Sequence, residues 1–178
     1  MSSFKISFIQ QSILLFHLIF TITVLLIAFY YIFGTIFPVN GFIFLYVFLF
    51  LFEVFPTFFL HIQYLIKNRG AVLNIYPELK RLSYAQSNIV FQHSFNEIKI
   101  IEAVASYGKG SGWYSFEEYR YCKIVFNDTS TIIVTCIMVN DIENTLERLL
   151  NRKVEKKFKF LAIIPSSRSR LESPRKAE

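Results

Sequence analysis

The chain has 178 residues, a formal net charge of +6, and a composition that is 53% hydrophobic and 18% aromatic. This composition excludes an intrinsically disordered protein, and the length leaves room for one small folded domain beside any membrane segment. Its two cysteines are too few for a disulfide framework and lack metal-type spacing, which favours a reducing compartment.

Two apolar runs, residues 12–33 and 42–66, dominate the first part of the chain. Their 22 and 25 residues would form helices of roughly 33 and 37 Å, long enough to cross a bilayer core of ~30 Å. The connector 34–41 has eight residues and no charge, so we expect an antiparallel transmembrane hairpin within a first domain, residues 1–69. A signal peptide is disfavoured, because the first run is too long and no small-residue cleavage site follows it.

Basic residues predict how the hairpin is oriented. Lys5 precedes the first helix, Lys67 and Arg69 follow the second, and the connector has no basic residue. The positive-inside bias therefore predicts that both termini are cytoplasmic and that the connector lies on the other side.

Glu53 lies near the middle of the second run, where a charged side chain costs at least ~2.5–3.5 kcal/mol. We therefore expect it to be protonated or to face protein. His17 and Thr21 share one face of the first helix and are its expected partners. One interpretation is a proton or ion relay, or a polar seam between hairpins. The other is a single protonated Glu bonded to a hydroxyl or to a backbone carbonyl freed by Pro56. His17 and His61 lack a haem-binding pattern.

After Gly70 the pattern becomes alternating, which predicts six or seven antiparallel strands. The expected strands are residues 72–76, 81–85, 89–93, 98–106, 119–126 and 131–138. Helical spacing of leucines after a capping signal predicts an amphipathic helix at 141–151. We expect residues 70–164 to form the second domain, and the Ser-, Pro- and charge-rich residues 165–178 to be a disordered tail.

A meander of short strands closed by a helix resembles pleckstrin-homology-like (PH-like) domains. The segments FPTFFLHIQYLIKN (55–68), NEI (96–98) and YRYCKIVFNDTSTIIVTCIMVNDIE (119–143) also resemble a bacterial family, of Bacteroidetes type, with two transmembrane helices and a PH-like domain. The resemblance implies an α+β membrane protein of a bacterial inner membrane. Its two-helix hairpin would precede an antiparallel β barrel or sandwich with a C-terminal helix. The resemblance supplies no catalytic residue and no cofactor.

Basic side chains are candidates for contact with anionic lipid or a partner, each contributing ~1 kcal/mol near a membrane surface. They are Lys67, Arg69, Arg152, Lys153, Lys156, Lys157 and Lys159. Ordinary solvated charge is the alternative interpretation. A Gly-rich loop contributes Lys109, Trp113 and Tyr114 as possible contacts, and its spacing is not that of a P-loop.

The sequence contains no Ser/His/Asp order, no HExxH and no paired-carboxylate motif. Its charge is modest and lacks the aromatic interleaving typical of nucleic-acid binding. We therefore predict a non-enzymatic protein without metal, cofactor, small-molecule substrate or nucleic acid. Its expected partners are membrane lipid and either another protein or a second copy. A subunit of an oligomeric pore or transporter, built on the polar hairpin residues, is the alternative.

Overall fold

The computed structural model describes residues 1–33, 39–87, 89–106 and 114–165. In chain order its elements are β1 (Ser2–Lys5), α1 (Phe8–Phe33), α2 (Val39–Leu49), a π-helical turn (Phe50–Val54), α3 (Phe55–Asn68), β2 (Val72–Tyr76), β3 (Arg81–Gln86), β4 (Ile89–Ser94), a 3₁₀ helix (Phe95–Glu97), β5 (Ile98–Ser106), a second 3₁₀ helix (Ser115–Glu118), β6 (Arg120–Phe126), β7 (Thr131–Thr135), α4 (Ile142–Leu150) and β8 (Glu155–Lys159). Residues 34–38 of the connector and the predicted tail beyond residue 165 lie outside the described part.

The strands form two four-stranded sheets, in the orders β1-β2-β3-β4 and β7-β6-β5-β8. Two N-terminal helices, these sheets and α4 make an α+β fold, as the sequence predicts. The sequence predicts a barrel or a sandwich. The structure has two separate sheets, and the residues described form no closed barrel.

Two strands were not predicted. β1 pairs antiparallel with β2, so the extreme N-terminus belongs to the first sheet. β8 pairs parallel with β5, which makes the second sheet mixed and not purely antiparallel. All five side chains of β8 are exposed, so this strand depends on backbone pairing and not on an alternating apolar pattern. In the sequence, the lysines of β8 indicate a basic cluster and not a strand.

Both faces of the second sheet are covered. Cys122, Ile124 and Phe126 of β6 belong to a core shared with the first sheet and α4. Tyr121 of the same strand belongs to a second cluster that includes Tyr64 of α3. This division follows from strand geometry, in which successive side chains point to opposite faces. Leu60 and Tyr64 of α3, from the predicted hairpin, belong to this second cluster.

A π-helical turn joins α2 to α3 without breaking the helix. The backbone N–H of Phe55 donates to the carbonyl of Phe50, five residues earlier, and the flanking residues keep right-handed helical angles. The cause is Pro56, which has no N–H to donate and whose ring crowds the preceding turn. The widened turn contains Glu53, whose side chain is only 3% exposed.

The helices at Phe8–Ile32 and Ile43–Asn68 are long and apolar enough to cross a bilayer by length and composition, at 25 and 26 residues. Their two ends differ. The end nearest β1 and β2, here called the base, packs on the second sheet. We call residues 19–33 and 39–52 the tip, and most of the large apolar side chains described there are exposed.

Candidate functional site

A stripe of polar side chains runs down one face of the helix that contains the π turn. Glu53, Thr57, His61, Tyr64 and Asn68 follow each other at intervals of four, four, three and four residues, which places them on one face. None is more than 5% exposed. We call these five residues the polar stripe. It is the face on which the helix meets the β domain.

The lower half of the polar stripe bonds to strand β7 and to the chain after β8. The Asn68 side-chain amide donates to the carbonyl of Ile133 over 3.0 Å, and the Thr135 hydroxyl donates to Asn68 Oδ1 over 2.5 Å. The Tyr64 hydroxyl donates to the carbonyl of Ala162 over 2.7 Å. Every one of these groups is buried, so separating helix from sheet would leave several polar atoms unsatisfied.

The same end of α3 is held from two further directions. The Gln63 amide donates to the carbonyl of Ile164 over 3.0 Å and accepts from its N–H over 2.9 Å. Gln86 of β3 donates to the carbonyl of Lys67 over 2.7 Å, which satisfies one of the open carbonyls at the helix end. Gly70, at φ +67°, supplies the left-handed conformation that turns the chain from α3 into β2.

The upper half of the polar stripe reaches the second 3₁₀ helix. His61 Nδ1 lies 2.9 Å from the Tyr119 hydroxyl. Burial raises the pKa of Tyr119 well above its usual value, so the phenol keeps its proton for this bond. The backbone N–H of Ser115 donates to Glu53 Oε1 over 2.6 Å. A carboxylate that accepts such a bond faces protein, which is one of the two states expected for Glu53.

The predicted partners of Glu53 lie on α1. Thr21 is half-buried there, and the side chain of His17 lies outside the described part of the structure. The hydrogen bond that the structure gives to Glu53 goes to the β domain instead. Whether Glu53, His17 and Thr21 act together therefore stays a prediction.

The opposite side of both helices, at the base, is apolar and exposed. We call this surface the outer face. Its members are between 44% and 81% exposed: Phe8, Ile9, Ile13 and Phe16 on α1, and Phe55, Phe58, Phe59, Ile62 and Ile66 on α3. Nine large apolar side chains exposed at this end of the two helices exceed the scattered apolar residues of ordinary protein surfaces, which is typical of an interaction site.

The end of the β domain that lies nearest the tip is aromatic and basic. Ser115 bonds to Glu53 at this level, and Tyr114 stacks on Phe116 at a ring distance of 5.1 Å. Phe160 contacts Phe116 at 6.2 Å and is 74% exposed, and Lys159 beside it is also exposed. Tyr114, a predicted contact residue, is 49% exposed. Lys109 and Trp113 lie outside the described residues.

The predicted basic cluster is divided by the structure into two groups. Arg152 donates to the carbonyl of Ile98 over 2.6 Å, and Lys157 bonds to Glu102 over 2.6 Å. Lys156 lies 3.3 Å from the buried Glu143. These three side chains fasten the last segment of the chain to the domain. Lys153 and Lys159 are exposed and make no ion pair with a residue that the structure describes.

The remaining basic candidates lie at the base. Lys67 is half-buried, Arg69 is exposed, and Lys5 at the end of β1 is exposed. Arg69 lines an open groove of about 720 Å³ between α3 and the β3–β4 hairpin, whose walls include Ile66, Ile89 and Val90. The groove combines a cation with exposed apolar side chains.

A second polar cluster, far from the helices, joins the β6–β7 turn to the β4–β5 connection. Glu97 Oε2 lies 2.8 Å from His93 Nδ1, and His93 Nε2 lies 3.4 Å from the Ser130 hydroxyl. That hydroxyl donates its proton to Asp128 over 2.6 Å. A nucleophilic serine would have to give its proton to His93. Because the Ser130 hydroxyl donates to Asp128 instead, these hydrogen bonds suit the stabilisation of the turn better than a catalytic triad. Among the residues described, no group of three or more His, Cys, Asp or Glu side chains could hold a metal.

The polar stripe was missed at the sequence level, although its signal is present. Taken one at a time, Glu53, Pro56 and His61 indicate only exceptions within a lipid-facing helix. The regular spacing of Thr57, Tyr64 and Asn68 with them indicates a buried polar face.

A protein-family model described as a PH domain matches residues 3–146, a segment that includes α1, α2 and α3 as well as most of the β domain. No curated protein and no solved structure matches the chain. The family pattern therefore extends over the helices, in agreement with their packing on the second sheet.

Proposed function

Because this chain belongs to the PH domain family, we propose that it is a non-enzymatic, membrane-anchored protein that presents a PH-like domain to anionic lipid surfaces or to a protein partner. The observation that carries the proposal is the two-sided hairpin. One side of its base holds the β domain through the polar stripe, and the outer face is exposed and apolar.

The hairpin supplies the anchor. Exposed Phe and Ile side chains cover the outer face and the tip, and transferring such surface from water to lipid is favourable by about 25 cal/mol per Å². The connector is uncharged, and no Asp, Lys or Arg lies between Lys5 and Lys67. The free-energy cost of inserting this segment into a membrane is therefore low.

The β domain supplies the contact surface. Rigid docking on the hairpin base fixes which side of the domain meets the membrane and which side meets solvent. The exposed Arg69, Lys153 and Lys159 suit anionic headgroups or an acidic partner, and the groove beside Arg69 offers apolar walls next to that charge.

The basic residues at the hairpin base also support the proposed location. Lys5 and Arg69 are exposed at the base of the hairpin. By the positive-inside bias we place this end, and both termini, on the cytoplasmic side of a bacterial inner membrane.

The alternative, an oligomeric pore or transporter subunit, requires Glu53 to line a polar path between hairpins. The Glu53 carboxylate already accepts the Ser115 N–H, so such a path would compete with docking of the domain. Ion flux from proteoliposomes that is abolished by Glu53→Gln would favour this alternative over the anchor.

Alkaline carbonate extraction of membranes from expressing cells tests the anchor. We expect the full chain to stay in the membrane pellet, and the variant Ile43→Asp/Phe44→Asp, at exposed tip positions, to move to the supernatant. Leu79→Asp, in the exposed β2–β3 turn of the domain, is the matched control and should remain in the pellet. Release of the unmodified chain would contradict the proposal.

A further inference from the structure

Resting on the proposed membrane anchor, we infer that the hairpin enters only one leaflet of the bilayer: the outer face of its base lies against the lipid, its tip ends near the bilayer midplane, and the β domain sits on the same membrane surface. This departs from the expected transmembrane hairpin, whose connector would reach the far side.

The first argument is length. The β domain covers the inner side of the second helix from Asn68 up to Glu53, where Ser115 is bonded. Only the tip, residues 19–33 and 39–52, can be surrounded by lipid, and its 15 and 14 residues correspond to roughly 22 and 21 Å. A hydrocarbon core of ~30 Å is longer than either, so the tip alone does not cross it.

The second argument is the one-sidedness of the base. Phe55 and Ile62 are 58% and 49% exposed on the outer face, whereas Thr57 and Tyr64 on the inner face are fully buried against the β domain. A helix that crosses lipid alone is apolar on every side. A helix that lies in the membrane interface is apolar on one side only. An oblique hairpin, with its outer face toward the lipid, puts the exposed aromatic and aliphatic side chains of the base in lipid and leaves the domain in water.

The third argument is where aromatic and basic side chains lie. Tyr114, Phe160 and Lys159 are exposed at the end of the domain nearest the tip, and Lys5 and Arg69 are exposed at the base. Aromatic rings and lysines collect at the level of the headgroups, where the rings remain partly in lipid and the cations meet phosphate. Both ends of the domain's membrane side thus bear interface residues.

The fourth argument is the composition of the connector. Residues 34–41 contain no charge. A connector that emerged among the far headgroups could carry charge at little cost, whereas one near the midplane could not.

Cysteine accessibility in lipid nanodiscs tests the inference, because a nanodisc exposes both membrane surfaces to an impermeant maleimide. Tyr31→Cys marks the tip, at a side chain that is 83% exposed, and Leu79→Cys marks the domain, at one that is 66% exposed. The native Cys122 and Cys136 are buried, so the unmodified chain gives the background. In nanodiscs we expect Leu79→Cys to be labelled by the maleimide and Tyr31→Cys to remain unlabelled. Labelling of Tyr31→Cys in nanodiscs that retain the protein would overturn the inference.

Depth-dependent quenching gives an independent readout on the same variant. A fluorophore on Tyr31→Cys should be quenched more by lipids with a nitroxide at the chain end than by lipids with a headgroup nitroxide. The reverse order would place the tip at the far surface and overturn the inference. Failure of the anchor itself would look different, because the chain would elute apart from the nanodiscs and both cysteine variants would label at equal rates.

Discussion

The base and the tip of the hairpin have opposite surroundings. At the base, Tyr64 and Asn68 are fully buried against the second sheet, whereas at the tip Tyr31 and Phe44 are 83% and 72% exposed. The difference follows the polar residues at helical spacing on α3, which also make this helix less apolar than α1 and α2. A run long enough to cross a membrane is thus divided by its polar face into a part that packs on protein and a part whose apolar side chains stay exposed.

The largest expected effect is at the centre of the covered base. Tyr64→Ala removes a buried ring that contacts Tyr119 and Tyr121, together with the hydrogen bond to Ala162. We expect a loss of about 3–5 kcal/mol in the free energy of unfolding, measured by denaturant titration in detergent. Ile66→Ala is the matched control two residues on, at a side chain that is 70% exposed, and should change it by less than about 0.5 kcal/mol. Equal effects would remove the distinction between the two faces.

The boundary between base and tip should respond less strongly. Glu53→Leu deletes the acceptor for the buried Ser115 N–H, and leaving a buried donor unsatisfied costs about 1–3 kcal/mol. We expect faster hydrogen exchange at the Ser115 amide, with Glu53→Gln intermediate because its amide oxygen can still accept. If Glu53 pairs with α1 instead, as the sequence suggested, exchange at Ser115 will not change.

The smallest effect is expected in the domain, remote from the hairpin. The hydrogen bond from the Ser130 hydroxyl lowers the pKa of Asp128 below its usual value. A lowered folded-state pKa gives stability that is present above the unfolded-state pKa and is lost as the pH falls through the folded-state value. Ser130→Ala should therefore weaken the acid dependence of unfolding below about pH 4 and leave hairpin docking intact. An unchanged acid profile would show that this bond does not stabilise the turn.

Much of the fold follows from local sequence. The bounds of β2 and β5 agree with the predicted strands 72–76 and 98–106, because their apolar residues alternate and turn residues flank them. Helix α4 begins at Ile142 and ends at Leu150, within the predicted 141–151. Where alternation is weak, the prediction failed. β1 has four residues, and β8 has only Phe158 as an apolar side chain.

The arrangement of the hairpin on the domain was beyond the reach of local patterns. Alternation in β6 separates Tyr121 from Cys122, but it does not say which face meets the first sheet and which meets a helix. Glu53 is expected from the sequence to be protonated or to face protein, and its partner Ser115 is 62 residues away in the chain. Pairing over such a distance depends on the tertiary structure, which spacing along one helix does not reveal.

The two native cysteines provide the most direct test of docking between hairpin and domain. Cys136 lies in the cluster closed by Leu60 and Tyr64, and burial raises its pKa to about 11, whereas Cys122 lies in the core between the sheets. Thiol labelling of the unmodified chain in lipid nanodiscs near pH 8 should leave both residues unreacted, since labelling requires an accessible thiolate. Rapid labelling of Cys136 while Cys122 stays protected would show that the domain is not docked on the hairpin, and would contradict the account.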